Sequence, residues 1–313
     1  MRHMTYLPHG VIPAALLPFH EDLSIDAPSF RSHLRDLASV DGISAITVNA
    51  HTSEVASCSF DEQKTVLELT QNEIGARVPI VSGVYADGSL AAARIAKMAH
   101  EGGASALLVF PPGIYNFGQR VEMAIEHFRR IADATDLPLI LFQYPPTGGQ
   151  GYPLATLLKI VEAVPGVRAI KDWSANPQLH ERQIRALQSR TPPVVVLSTH
   201  SAWLLSSLVL GCDGLLAGVG CAFPRETVAL YDLMQAGQFA EALKLYQWMT
   251  PMLHLDVSTK LVQNLKLIDL LVGVGSEHMR RPRLPLIGEE RAFIEAVVAK
   301  ALATRPAKYQ SVV

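Results

Sequence analysis

Eight times along this chain a short apolar run is followed by a segment with helical spacing, and no hairpin turn joins one apolar run to the next. That rhythm restricts the fold more than any other feature. Strands rich in Val, Ile and Leu that each lead into a helix pair in parallel, because only parallel neighbours need a long crossover. The apolar runs are 11–17, 43–48, 80–84, 106–110, 139–142, 167–171, 194–197 and 215–218. Between them helical patterns cover 30–40, 60–74, 90–100, a segment carrying Val121, Ile125, Phe128 and Ala132, then 154–163, 179–187 and 202–210. Asp26 is placed to cap the first helix, with Pro28 tolerated in its first turn. Eight such units predict an α/β chain folded as a (β/α)8 TIM barrel rather than an open doubly wound sheet. No GxGxxG follows the first run, which weakens the dinucleotide-binding alternative further.

The 313 residues exceed one barrel of about 250 and leave room for an appendage. The expected division is a catalytic barrel over 1–223 and a C-terminal helical extension over 224–313 packed on it. From Pro224 the pattern is helical only, with breaks expected at Gly237, at Pro251 and across 273–285, and residues 304–313 read as a frayed tail.

Hydrophobic residues make up 49% and charged residues 18%, so a large core is available and disorder is not expected. A net charge of −2 without a basic stripe argues against nucleic acid as a partner. No apolar run reaches the length of about 18 residues that crosses a bilayer, and no signal-peptide order is present, so neither a membrane nor an export route is expected and the reading is cytoplasmic. Cys58, Cys212 and Cys221 share no CxxC spacing and suggest neither a disulfide framework nor a zinc site.

In such a barrel the chemistry lies where strands end. The sixth run, Val167-Arg168-Ala169-Ile170, ends in Lys171. Among apolar walls a lysine loses its ammonium proton more readily, and the neutral amine can attack a carbonyl; in a solvated loop it does nothing of the kind. The second run delivers Asn49-Ala50-His51-Thr52-Ser53-Glu54, whose hydroxyls and backbone N–H groups suit a carboxylate, or alternatively cap the next helix. The fourth delivers Tyr115 and the fifth Tyr144, each of which either enters the site or packs beneath a proline-rich loop. Two tyrosines and a lysine from neighbouring strands are the equipment for imine formation and proton relay.

These residues carry a resemblance. Pro18-Phe19 with Ile25-Asp26, the His51-Thr52-Ser53-Glu54 loop, Tyr115-Asn116, Pro145, Ile170-Lys171-Asp172, and Arg281-Pro282 followed by Leu284-Pro285-Leu286 occur in the order and near the spacing of one family. Over nearly its whole length the chain resembles the dihydrodipicolinate synthase and N-acetylneuraminate lyase family of class I aldolases. The resemblance implies that Lys171 forms an imine with pyruvate or another 2-keto acid, with no metal and no cofactor. It implies that Thr52, with Ser53 beside it, binds the pyruvyl carboxylate and that Leu216 lies near through its backbone carbonyl. It implies too that Tyr115 completes a proton relay across a subunit contact, in a homotetramer built from dimers or in a homodimer.

Three departures bear on substrate. Phe142 occupies the position of the family's proton-shuttling tyrosine, and a phenyl ring carries no proton. Tyr144, two residues on and hence on the same strand face, is the expected substitute. His51 replaces a Thr or Ser, where an imidazole titrating near neutrality serves as acid or base, or only as a hydrogen-bond partner. Thr147 replaces the entrance arginine of the lysine-pathway synthases, and no neighbour in sequence supplies its charge. His200 and Ser201 replace acidic positions and are expected to touch substrate hydroxyls or to cap a helix. The reading is a Schiff-base lyase, retro-aldol or aldol; the alternatives are a dehydratase of a 2-keto-3-deoxy sugar acid and a non-catalytic keto-acid binder.

Overall fold

The computed structural model describes residues 6–309. Among them the strands are β1 Gly10–Val11, β2 Ile46–Val48, β3 Ile80–Val84, β4 Ala106–Val109, β5 Leu139–Gln143, β6 Val167–Asp172, β7 Val195–Ser198 and β8 Gly214–Leu215. The helices that follow them are α1 Ala27–Ala38, α2 Phe60–Ile74, α3 Ser89–Glu101, α4 Val121–Ala132, α5 Leu154–Ala163, α6 Pro177–Gln188, α7 Leu204–Val209 and α8 Pro224–Gln235. All pairings are parallel, in the order β1-β8-β7-β6-β5-β4-β3-β2. The ring closes where Thr47 N–H donates to the Pro13 carbonyl and Ala15 N–H to the Thr47 carbonyl, both at 2.9 Å. The expected barrel is the fold.

Local chemistry sets the element boundaries. Asp26 caps α1 by accepting from Ser29 N–H, Ser59 and Glu62 form a reciprocal capping box on α2, and Asn176 caps α6 ahead of Pro177. The strands are apolar on both faces because both are covered. Ile140, Phe142, Ala106, Leu108 and Ala169 fill the barrel interior, while Leu139, Leu141, Leu107 and Val109 meet the helices. Lys171 is two residues beyond Ala169 on β6, so the same alternation turns it inward. The eighth strand is shorter than expected. It ends at Leu215, and Gly218–Cys221 form a 3-10 turn that carries the chain across the barrel mouth.

After α8 come α9 Phe239–Asp256, α10 Leu261–Leu271 and α11 Gly288–Ala303. The break expected at Pro251 is absent. Pro251 sits exposed inside α9 with buried Met249, Met252 and Leu253 on either side, so packing holds the helix through a residue that lacks the N–H. The interruption falls instead after Asp256. The frayed tail is also corrected up to Tyr309, whose ring is buried against the core, while residues 310–313 lie outside the described residues.

The extension is fastened by charge. Lys266 of α10 pairs with Glu54 at 2.5 Å, both fully buried, and Glu54 also accepts from Arg280 N–H at 3.0 Å. Arg280 in turn forks onto Glu62 at the start of α2 and donates to the carbonyls of Leu23 and Ser57. This clamp brings the segment after α10 over the loop that follows β2. Among the described residues no helix is long and apolar enough to cross a membrane.

Candidate active site

The C-terminal ends of the strands open into a cavity of about 310 Å³. Its floor is Lys171, only 6% exposed, with the amine 4.0 Å from the centroid of the Phe142 ring. Phe142 lies directly across the β5–β6 ladder from Lys171, so the register itself sets a phenyl face against the amine. Burial removes the water an ammonium needs and pushes Lys171 down to about 7, against a weaker upward pull from the Asp256 carboxylate. A substantial fraction of the amine is therefore uncharged at neutral pH.

The next residue serves the scaffold. Asp172 points to the other face of β6, where it accepts from Ser174 N–H and pairs with His180 of α6 at 2.5 Å, which fixes the strand end that carries the lysine.

The loop after β2 is bent by its backbone. Asn49 has a φ of 53°, and its carbonyl comes so close to Gly83 that a Cβ there would sit 1.8 Å from it; glycine is required. The Asn49 amide donates to the Gln63 carbonyl at 3.0 Å and holds the bend. His51 and Thr52 are thereby turned into the cavity. His51 Nε2 is hydrogen bonded to the Tyr144 hydroxyl, and its ring meets Phe110 edge-on at 4.8 Å. Burial first, then the positive charges of Lys171 and Arg283, push His51 down to about 3. That shift favours the neutral imidazole, in keeping with a hydrogen-bond partner. The hydroxyl of Thr52 is buried and unpartnered in the cavity wall.

Tyr144 reaches the cavity as expected, packed edge-on between Phe142 at 4.7 Å and Trp173 at 5.6 Å. Burial raises its phenol well above the ordinary range, so it stays protonated. Ser53, Leu216 and Tyr115 are not brought to the cavity wall. The Ser53 hydroxyl donates to the Ala15 carbonyl at 2.8 Å and ties the β2 loop to the first strand segment. Leu216 is buried in the barrel interior. Tyr115 is buried beside Tyr152, with its hydroxyl unpartnered within the chain. Of the two residues after β7, His200 stacks on Trp203 at 4.0 Å, and the Ser201 hydroxyl donates to Asp256.

Residues 7–301 match the dihydrodipicolinate synthetase family. The chain belongs to that family. Curated relatives agree across the same length. The 4-hydroxy-tetrahydrodipicolinate synthase of Methanothrix thermoacetophila is 27% identical over 93% of this chain and 96% of its own. That of Haloarcula marismortui is 28% identical over 93% of each. The fold also superposes on the synthase of Methylacidiphilum fumariolicum SolV with a TM-score of 0.87, 24% identity and coverage of 95% and 96%. YagE, a prophage protein of E. coli K12 solved in complex with pyruvate, gives 0.87 at 22% identity, covering 95% of this chain and 99% of its own. As a member of the dihydrodipicolinate synthetase family the chain is an enzyme of the lyase class.

Two charged cavity residues escaped the sequence reading. Asp256 closes α9 and Arg283 lies in the segment between α10 and α11, and both line the cavity from the extension. Asp256 is the acid within the mostly apolar run Met252-Leu253-His254-Leu255-Asp256-Val257, a signal that was available. Thr147 lies outside this cavity, beside Pro145, and Arg283, the arginine that lines the cavity, also faces Glu54 at 3.8 Å.

Proposed function

We propose that this protein is a cytoplasmic Schiff-base lyase acting on pyruvate or a longer 2-keto acid through an imine on Lys171. The observation that carries the reading is an amine buried on a phenyl face and poised near neutrality. The neutral amine adds to the keto carbon, and loss of water from the carbinolamine gives a protonated imine. That imine draws electrons from the adjacent carbon, so a proton, or a C–C bond one position further, is released with no cofactor beyond the lysine. The unpartnered Thr52 hydroxyl is suited to the substrate carboxylate, with Ser53 and Leu216 buried outside the cavity lining. Tyr144, protonated and bonded to neutral His51, takes over proton delivery from the hydroxyl that Phe142 lacks.

The far wall supports a longer substrate. Thr199, Ser258, Thr259, Gln150 and Gln263 offer hydroxyls and amides, which suit the polyol tail of a 2-keto-3-deoxy sugar acid. Such a substrate undergoes either retro-aldol cleavage to pyruvate or dehydration, both from the same imine. A keto-acid binder without catalysis has no use for a lysine brought near neutrality.

Exposed Ile114 and Phe117, on the turn that holds Tyr115, support an arrangement in which copies of the chain meet there as a homodimer or within a homotetramer. Tyr115 then works at the subunit contact.

Reduction with borohydride in the presence of pyruvate, followed by peptide mapping, tests the reading. A stable adduct on Lys171 is expected. Binding without an adduct contradicts it.

A further inference from the structure

We infer that Asp256 is the group that moves the proton at the carbon next to the imine, a catalytic residue contributed by the helical extension rather than by the barrel. The inference rests on the imine reading above. Asp256 is the last residue of α9, and its side chain lines the cavity whose floor is Lys171. Among the described residues lining that cavity it is the one carboxyl group.

Its two oxygens have different surroundings. Oδ2 accepts from the Ser201 hydroxyl and from Val219 N–H at 3.2 Å, while Oδ1 is buried without a partner. A carboxylate anchored through one oxygen leaves the lone pairs of the other for a ligand, and an orphaned acceptor is costly unless something occupies it. The space it needs is kept by Gly218, where a Cβ would lie 2.8 Å from Oδ1.

The other polar groups near the lysine are poor bases for a carbon acid. His51 is pushed down to about 3, and the Tyr144 hydroxyl is held protonated and engaged with His51. Asp256 is pushed up to about 6 by burial, offset by Ser201, Val219 N–H and Lys171, which makes it a stronger base than an exposed aspartate. The titratable groups around it are Lys171 on β6, Cys221 on the turn after β8, His51 after β2, and Arg283 on the extension. Lys171 favours its ionised form, whereas Cys221, raised well above its ordinary range, and His51 are uncharged.

With pyruvate bound as the protonated imine, ionised Asp256 takes a proton from the methyl carbon. The C–H pair becomes the C=C bond of the enamine, the C=N π pair moves to nitrogen, and Asp256 is left as the neutral acid. Return of that proton, or its replacement by an electrophile at the same carbon, completes the cycle.

Exchange of pyruvate methyl protons in D2O, followed by proton NMR beside borohydride trapping, tests this. In the unaltered enzyme, exchange is expected to rise with pH through the ionisation of Asp256. Asp256→Asn is expected to keep the trapped adduct and to lose exchange by about 100-fold. Ser201→Ala removes a hydrogen bond to the charged form, so its exchange limb is expected at higher pH with trapping retained, and this variant decides if Asp256→Asn fails to fold. Trapping with unaltered exchange in both variants overturns the assignment of Asp256 alone; no adduct in the unaltered enzyme overturns the imine reading with it.

Discussion

At the scale of single residues, the function proposed for Lys171 pulls against stability. Its folded pKa of about 7 lies below the ordinary lysine value of 10.5, so the unfolded chain binds more protons between these limits. The resulting penalty on folding is fully present below about pH 7 and fades as pH rises toward 10.5. Lys171→Met is accordingly expected to be more stable than the parent at pH 7, by on the order of a few kcal/mol, with the gap closing in alkaline solution. Urea unfolding at several pH values checks the sign. Tyr144→Phe keeps the aromatic wall and deletes only the hydroxyl that His51 holds. Turnover is expected to fall about 100-fold while the borohydride adduct persists, and steady-state rates with trapping check both halves. Lys171 and Tyr144 were both legible in the sequence, because strand periodicity gives inward direction once the strand ends are placed. The protonation state of His51 was not. It depends on burial first, then on Lys171 and on Arg283, the last more than 200 positions away in the chain.

At the scale of elements, the strands were read well because parallel strands covered on both faces have no polar side to blur the pattern. The errors fell where packing overrides local propensity. Pro251 is a helix breaker by composition, yet buried neighbours on both sides keep α9 intact. That misplaced break hid Asp256, since a segment read as broken at Pro251 gave no reason to look for a side chain at the barrel mouth five residues later. The clamp between barrel and extension was equally invisible. Glu54 looked like one more polar residue of the loop after β2, but it is buried against Lys266 and Arg280 N–H. Removing one member leaves an uncompensated buried charge, so Glu54→Gln is expected to destabilise the chain by about 3–5 kcal/mol and to loosen the segment bearing Arg283. Denaturant unfolding, with hydrogen exchange over residues 276–284, checks this.

At the scale of the whole molecule, the barrel supplies the lysine and the aromatic wall, and the extension supplies the acid, the cation and several polar groups on the far wall. Leu90 at 78% and Phe117 at 92% exposure lie at the starts of α3 and ahead of α4, helices that pack together, and water is a poor environment for both. Phe117→Asp is expected to weaken self-association without unfolding the barrel, shifting the sedimentation coefficient toward that of a single chain. The central claim is the buried amine, and the rate of imine formation with pyruvate as a function of pH tests it most directly. A rate that rises with pH through a midpoint of about 7 is expected; a midpoint near 10.5, the value of an exposed lysine, contradicts the account.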